Sequence, residues 1–283
     1  MIMSFNPKVK EALEKIEEGV TALLNSERWK AHLKFQATFH SYSFGNCILI
    51  MAQRPDATYV AGIKKWNKLG RYVKKGEKGI YILAPCFKKI KRETEDGEEE
   101  EIIKLSGFRG VYVFDISQTE GELLPDAEIV KIIQGETHLY SLLKEICPFR
   151  IEEKEYLYGA NGTFSGGTIE ILKDLPTAQK TKTLIHEWAH GILHGDFAAK
   201  YNKRQVELEA ESVAFAVSHT LGLDTSDYTF GYLAGWGGKD AVKIFKQSAE
   251  RIQKATHQII SDIKTATRQK NAEKDLKMEQ KVV

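Results

Sequence analysis

Thr183-Leu-Ile-His186-Glu187-Trp-Ala-His190-Gly-Ile-Leu-His194 sets two histidines four residues apart, with a glutamate directly after the first, on an apolar background. Residues four apart share a helix face, so His186 and His190 can aim imidazole nitrogens at one zinc ion. Glu187, one step round the helix, is placed to act as general base toward a water that the metal activates. Leu184, Ile185, Ile192 and Leu193 flank the motif, as a helix with one buried face requires. The segment predicts a helix capped by Thr177 and stopped near His194 by Gly195 and Asp196. Its chemistry is that of a mononuclear zinc hydrolase, with a peptidase as the expected class.

A catalytic zinc site keeps an open position beside three protein ligands, and Glu207-Leu-Glu209-Ala-Glu211 supplies carboxylates in the next predicted helix, Val206 to Leu221. Glu207 and Glu211 share a face, while Glu209 lies on roughly the opposite one. His194 has turned about 80° from His186 around the helix axis, so it is expected beside the ligands rather than among them. Glu209-Ala210-x-x-Val213-Ala214 resembles the segment that carries the third ligand in ImmA/IrrE-like zinc peptidases. On that resemblance Glu209 is the expected third ligand, with Glu211 second. Tyr228 and Tyr232 are minor candidates for polarising a substrate carbonyl. Gly162 to Leu172 reads as an edge hairpin before the helix, able to pair with an extended peptide.

Outward from the motif, 283 residues suffice for two domains, and 42% hydrophobic with 28% charged residues fits a folded chain. Cys47, Cys86 and Cys147 form no CxxC pair, which argues against a disulfide framework or a thiolate zinc site. No signal peptide or membrane span is read, so the expected compartment is the cytoplasm. Val9, Leu13, Ile16, Val20 and Leu23 recur at helical spacing within residues 8 to 38, and an apolar helix follows from Ser43. Strands are read at 59–61 and 80–83, then a long β-hairpin from Phe87 turning at Asp96-Gly97 and returning through Ile102. The expected fold class is α+β: a mixed α+β DNA-binding domain over 1–125, joined through a linker near 120–135 to a mostly helical zincin-like metallopeptidase domain over 126–265. That second domain should contain a small β-hairpin or sheet, and the charged tail, 266–283, is expected to be disordered.

Between Lys64 and Arg92 basic residues interleave with Trp66, Tyr72, Tyr81 and Phe87, a recipe for binding single-stranded nucleic acid. Tyr42-Ser43-Phe-Gly-Asn46 and the stretch Trp66-Asn-Lys-Leu-Gly70-Arg71-Tyr-Val-Lys74-Lys75-Gly76-Glu77-Lys78-Gly79, with Val113-Phe114-Asp115-Ile-Ser-Gln118-Thr119, resemble the N-terminal domain of ArdC-like antirestriction proteins. The resemblance covers roughly residues 25 to 120. It implies a domain that binds single-stranded DNA, followed by a zinc-peptidase-like domain, in proteins of plasmids and conjugative elements that protect incoming DNA. Candidate DNA contacts are Trp66, Arg71, Lys74, Lys75 and Lys78. The expected cofactor is one Zn2+ per chain, held by His186, His190 and Glu209 with Glu187 catalytic. The expected partners are single-stranded DNA and an unidentified protein or peptide substrate. Two other readings remain open: a DNA-coating protein with a hydrolytically idle metal site, and an ImmA-like peptidase that cleaves a repressor.

Overall fold

A computed structural model describes residues 6–93, 99–123, 138–195, 202–230 and 240–279. The chain forms two compact units: residues 1–21 with 45–122, and residues 22–44 with 123–283. The chain passes between the units at residues 21/22, 44/45 and 122/123. Residues 22–44 leave the first unit and join the second, although they fall within the stretch that suggested a single N-terminal domain.

In the first unit, α1 (Pro7–Ala22) buries Val9, Ala12, Ile16 and Val20, a stripe at helical spacing. Helix α3 (Phe44–Gln53) follows, then β1 (Val60–Ala61), α4 (Ile63–Lys68) and β2 (Arg71–Val73). The hairpin β3 (Ile80–Glu93) and β4 (Glu99–Asp115) dominates, with β1 pairing on the other side of β4. The expected Asp96-Gly97 turn lies outside the described residues. Asn46 and Gln53 lie along the open edge of β3. The Asn46 amide donates to the Leu83 carbonyl and accepts from its N–H at 2.9 and 3.0 Å, and the Gln53 amide does the same for Tyr81 at 2.9 Å each way. Side-chain amides thus satisfy backbone groups that an edge strand leaves open.

A short 3-10 turn (Ile116–Gln118) and β5 (Thr119–Gly121), paired with β2, complete this unit. Asp115 organises the corner. One carboxylate oxygen accepts from the N–H groups of Thr58 and Tyr59 at 2.8 and 3.1 Å, and the other from the N–H and hydroxyl of Ser117 at 3.0 and 2.7 Å. Burial by itself raises the Asp115 carboxyl pKa, but these bonds outweigh it and hold the group below its ordinary value.

In the second unit α2 (Ser26–Thr38) packs on the C-terminal helices: fully buried Trp29 donates its indole N–H to Ser212 Oγ at 3.0 Å and meets the Phe245 ring at 5.0 Å. Helix α5 (Leu139–Ile146) leads into β6 (Arg150–Lys154), β7 (Gly162–Ser165) and β8 (Thr168–Leu172). These form one sheet in the order β6-β8-β7, with β6 parallel to β8 and β7 antiparallel to it. The expected hairpin is β7/β8. Helices α6 (Thr177–Leu193), α7 (Lys203–Thr220) and α8 (Ala241–Glu279) complete the unit. Thr177 is the first helical residue of α6 and Pro176 stands at the cap position, without a side-chain bond. The tail expected to be disordered continues instead as α8 through Glu279, because Ile252, Ile259, Ile260 and Ile263 bury one face of that helix and carry its register onward.

Replacing Asp115 by Ala strands several donors at this corner, so equilibrium urea unfolding is expected to show a loss of roughly 2–3 kcal/mol. Because the folded-state pKa is depressed, the native protein keeps this contribution above about pH 4 and loses it as pH falls through the depressed value. The Asp115→Ala variant should therefore show a weaker acid destabilisation than the native chain.

Candidate metal centre

Helix α6 presents His186 and His190 one turn apart, with their Nε2 atoms 3.0 Å from each other. Glu207 of α7 places Oε2 at 3.8 Å from the first and 4.0 Å from the second. The donor atoms of His186, His190 and Glu207 all lie within 4.8 Å of one another. A tetrahedral zinc site with bonds of about 2.0–2.1 Å separates its donors by about 3.3 Å, so this set fits such an ion.

The protons around the site support the fit. Glu211 lies 3.3 Å from His186 Nδ1, and a carboxylate there takes the Nδ1 proton and leaves Nε2 as an acceptor. On the other side, His194 Nε2 lies 3.1 Å from Glu209, and His194 Nδ1 lies 3.3 Å from His190 Nδ1. If His194 donates to the carboxylate from Nε2, its Nδ1 accepts from His190 Nδ1–H, and His190 Nε2 is then also an acceptor. Two such nitrogens 3.0 Å apart are satisfied by a metal ion between them or by a proton that His186 donates to His190. Burial, together with neighbouring His186 and His194, pushes His190 down to about 3, which keeps that ring neutral and fit to ligate. His186 goes the other way: burial opposes its protonation, but the bond it donates to Glu211 and the charges of Glu187, Glu211 and Glu207 raise its pKa.

Glu209 is not in the cluster. It is two residues, or about 200°, from the face of α7 that Glu207 and Glu211 share, and so it turns into the interior. There its fully buried carboxylate pairs with Arg251 of α8 and accepts from Gln205 at 3.0 Å as well as from His194. Burial opposes its ionisation, yet these bonds from His194, Arg251, Ser248 and Gln205 hold it at about 2. The expected third ligand, Glu209, thus lies outside the cluster, and Glu207, on the face it shares with Glu211, is the carboxylate grouped with the two histidines. His194 stands outside the cluster, between His190 and Glu209.

Glu187 is buried, and burial followed by the charge of Glu207 pushes its carboxyl up to about 7 against the pull of His186. Strand β7 comes directly against it: a Cβ at Gly162 would lie 2.5 Å from Thr183 and 3.0 Å from Glu187, so only glycine allows this approach. A cavity of about 260 Å³ reaches His186 and Glu187 from the side of Asn161, Lys182, Asp227 and Tyr228. Another of about 390 Å³ reaches the same two residues from the side of Phe164, His190 and Glu207. Tyr228 lines the first cavity, while Tyr232 lies outside the described residues.

The candidate DNA contacts divide. Trp66 is fully buried and donates to the Phe114 carbonyl at 2.9 Å, so no base can stack on it. Arg71 is buried too, its guanidinium spent on Thr119 Oγ1 and on the carbonyls of Thr119, Gly121 and Glu122. Both are corrected to structural roles in the β2/β5 corner. Lys74 reaches the Ser117 carbonyl at 3.0 Å from an exposed position, and Lys75 and Lys78 are exposed. Sequence reasoning did not place Glu207 with the two histidines or Arg251 against Glu209. The shared helix face was the available signal for the first, and nothing local pointed to the second.

Truncating Glu209 to Ala leaves Arg251 and His194 facing an uncompensated interior and is expected to cost about 3–5 kcal/mol in chemical denaturation. Glu207→Ala, at a half-exposed position, should stay within about 0.5 kcal/mol of the native chain.

Residues 8–114 match the family described as the N-terminal domain of anti-restriction factor ArdC. An uncharacterized protein of Bacillus anthracis is 27% identical over 98% of this chain, which spans only 55% of that relative's length. The antirestriction protein ArdC of plasmid R388 aligns over 78% of this chain in two crystal structures. Its metal-free form gives 22% identity, a TM-score of 0.43 and 85% coverage of that chain, and its Mn(II)-bound form 21%, 0.44 and 89%. Over residues 8–114 the chain is thus similar to the N-terminal domain of that antirestriction family.

Proposed function

We propose that this is an antirestriction-type protein that binds single-stranded DNA through its ArdC-like unit and hydrolyses a peptide bond at a metal centre in its second unit. The observation that carries the peptidase half is the convergence of His186 Nε2, His190 Nε2 and Glu207 Oε2 beside a buried Glu187. His186, His190 and Glu207 would hold the ion, and zinc suits two imidazoles and a carboxylate. When bound, such an ion acts as a Lewis acid and lowers the pKa of water. Manganese is a second candidate, since the R388 relative was solved with Mn(II).

Glu187 takes a proton from the attacking water and delivers it to the leaving amine, a role suited to a carboxyl held near neutrality. Strand β7 bonds only β8 among the described strands, so its outer edge is available to an extended peptide beside Glu187. For the DNA half, the support is the family match and the exposed lysines 75 and 78. Among the described residues no helix is long and apolar enough to cross a membrane.

Glu187→Gln should retain about one metal ion per chain and lose at least roughly 100-fold in hydrolysis, read by comparing the proteomes of cells expressing the native and variant chains. Glu207→Gln should lower metal content on dialysis. Unchanged cleavage products with Glu187→Gln would remove the peptidase reading and favour an idle metal site. Oligonucleotide affinity should fall steeply with salt, and a flat response would remove the phosphate contacts.

A further inference from the structure

Arg251 of α8 is linked to the candidate metal centre through two intervening side chains. Its Nε donates to Glu209 Oε2 at 3.2 Å, its Nη2 donates to Glu209 Oε1, and Nη2 also lies 3.4 Å from Ser248 Oγ, one turn earlier on the same helix. Gln205, one turn before Glu209 on α7, donates from Nε2 to Oε1 at 3.0 Å and to Ser248 Oγ at 3.1 Å. His194 Nε2 lies 3.1 Å from Oε2. The Arg251 side chain is 31% exposed, while the carboxylate it grips is wholly buried. A guanidinium can only donate, and Gln205 gives hydrogen from its amide nitrogen. The imidazole can act either way.

The role that His194 takes decides what His190 offers to an ion. A carboxylate held by an arginine is ionised and carries no hydrogen, so His194 donates to it from Nε2. Nδ1 of the same ring then holds a lone pair, and His190 Nδ1, at 3.3 Å, fills that place with its N–H. The His190 hydrogen is thereby kept away from Nε2, the atom that faces His186 Nε2. With His194 reversed, its Nε2 lone pair meets the carboxylate inside the protein, a buried contact between two acceptors. His190 would then accept at Nδ1 and carry its hydrogen on Nε2, where it blocks ligation. The charge of Arg251 selects the first arrangement over the second.

We infer that Arg251 is a positioning residue: through Glu209 and His194 it fixes which nitrogen of His190 carries hydrogen, and so sets the affinity of the His186, His190 and Glu207 group for zinc. The inference rests on the metal half of the proposed function. It deepens that reading by placing control of the ion on α8, which supplies none of the three donor atoms. A role confined to stability would leave the zinc affinity of the folded chain unchanged.

The test measures zinc affinity of the full chain by competition with a chromophoric chelator, with folding checked by circular dichroism. Arg251→Met should weaken zinc binding roughly 10- to 100-fold. Arg251→Lys, whose ammonium also only donates, should recover most of that loss. Asp115→Ala, which destabilises the first unit, should keep the native zinc affinity. Two-bond nitrogen–proton NMR spectra of the histidine-labelled, metal-free native chain should show hydrogen on His194 Nε2 and on His190 Nδ1. Native zinc affinity in a folded Arg251→Met variant overturns the inference and leaves the metal reading standing. Hydrogen on His190 Nε2 in the native chain overturns it as well, even where Arg251→Met does not fold. A native chain that binds no zinc overturns both the inference and the metal half of the proposed function.

Discussion

The candidate metal centre depends on two imidazole nitrogens held 3.0 Å apart. Such an arrangement is unfavourable unless each ring's other nitrogen is fixed by a partner and a metal ion or a proton lies between the two. Glu211 fixes His186 directly. His190 is fixed at one remove, through His194 to a carboxylate that Arg251 of α8 keeps ionised. The site is therefore a property of three helices. Helix α6 supplies the rings, α7 supplies Glu207 and both orienting carboxylates, and α8 supplies the charge that stabilises one of them.

Interior polar chemistry of this kind is tolerable only when complete. A carboxylate as buried as Glu209 would by itself bind a proton, and an un-ionised carboxyl would no longer specify which nitrogen of His194 carries hydrogen. Arg251 removes that ambiguity. The same rule operates in the first unit on a smaller scale, where Arg71 gathers the carbonyls of β5 and Asp115 gathers the N–H groups of the preceding loop. The motif stretch that links this chain to ArdC proteins is thus largely a set of ties. Trp66, Arg71, Asp115 and Gln118 hold two short strands and a 3-10 turn that have little apolar surface to hold them otherwise.

That finding explains why the sequence did not separate buried Trp66 and Arg71 from exposed Lys75 and Lys78. Aromatic and basic residues look alike on the page whether they anchor a corner or stand in water. The alternation of β3 and β4 was legible, but the bulge at Cys86/Phe87 was not, and the bulge decides which aromatic side chains share a face. Glu209 lies apart from the two histidines for a related reason. A local pattern resembling another family's ligand segment favoured it, while the 200° turn between positions 207 and 209 favoured Glu207, and the packing of α7 against α6 and α8 chose between them.

By itself the sequence determined what depends on near neighbours: the helix of His186, Glu187 and His190, the long hairpin and the α+β character. These follow from backbone periodicity and steric preference, which act over a few residues. Only the tertiary structure decided that Glu207 joins the histidines, that Glu209 answers to Arg251, and that residues 22–44 belong with the C-terminal helices through Trp29 and Ser212. Each of those is a contact between groups distant in sequence, and its energy comes from excluding water around a particular pairing. Such exclusion exists only once the elements have packed.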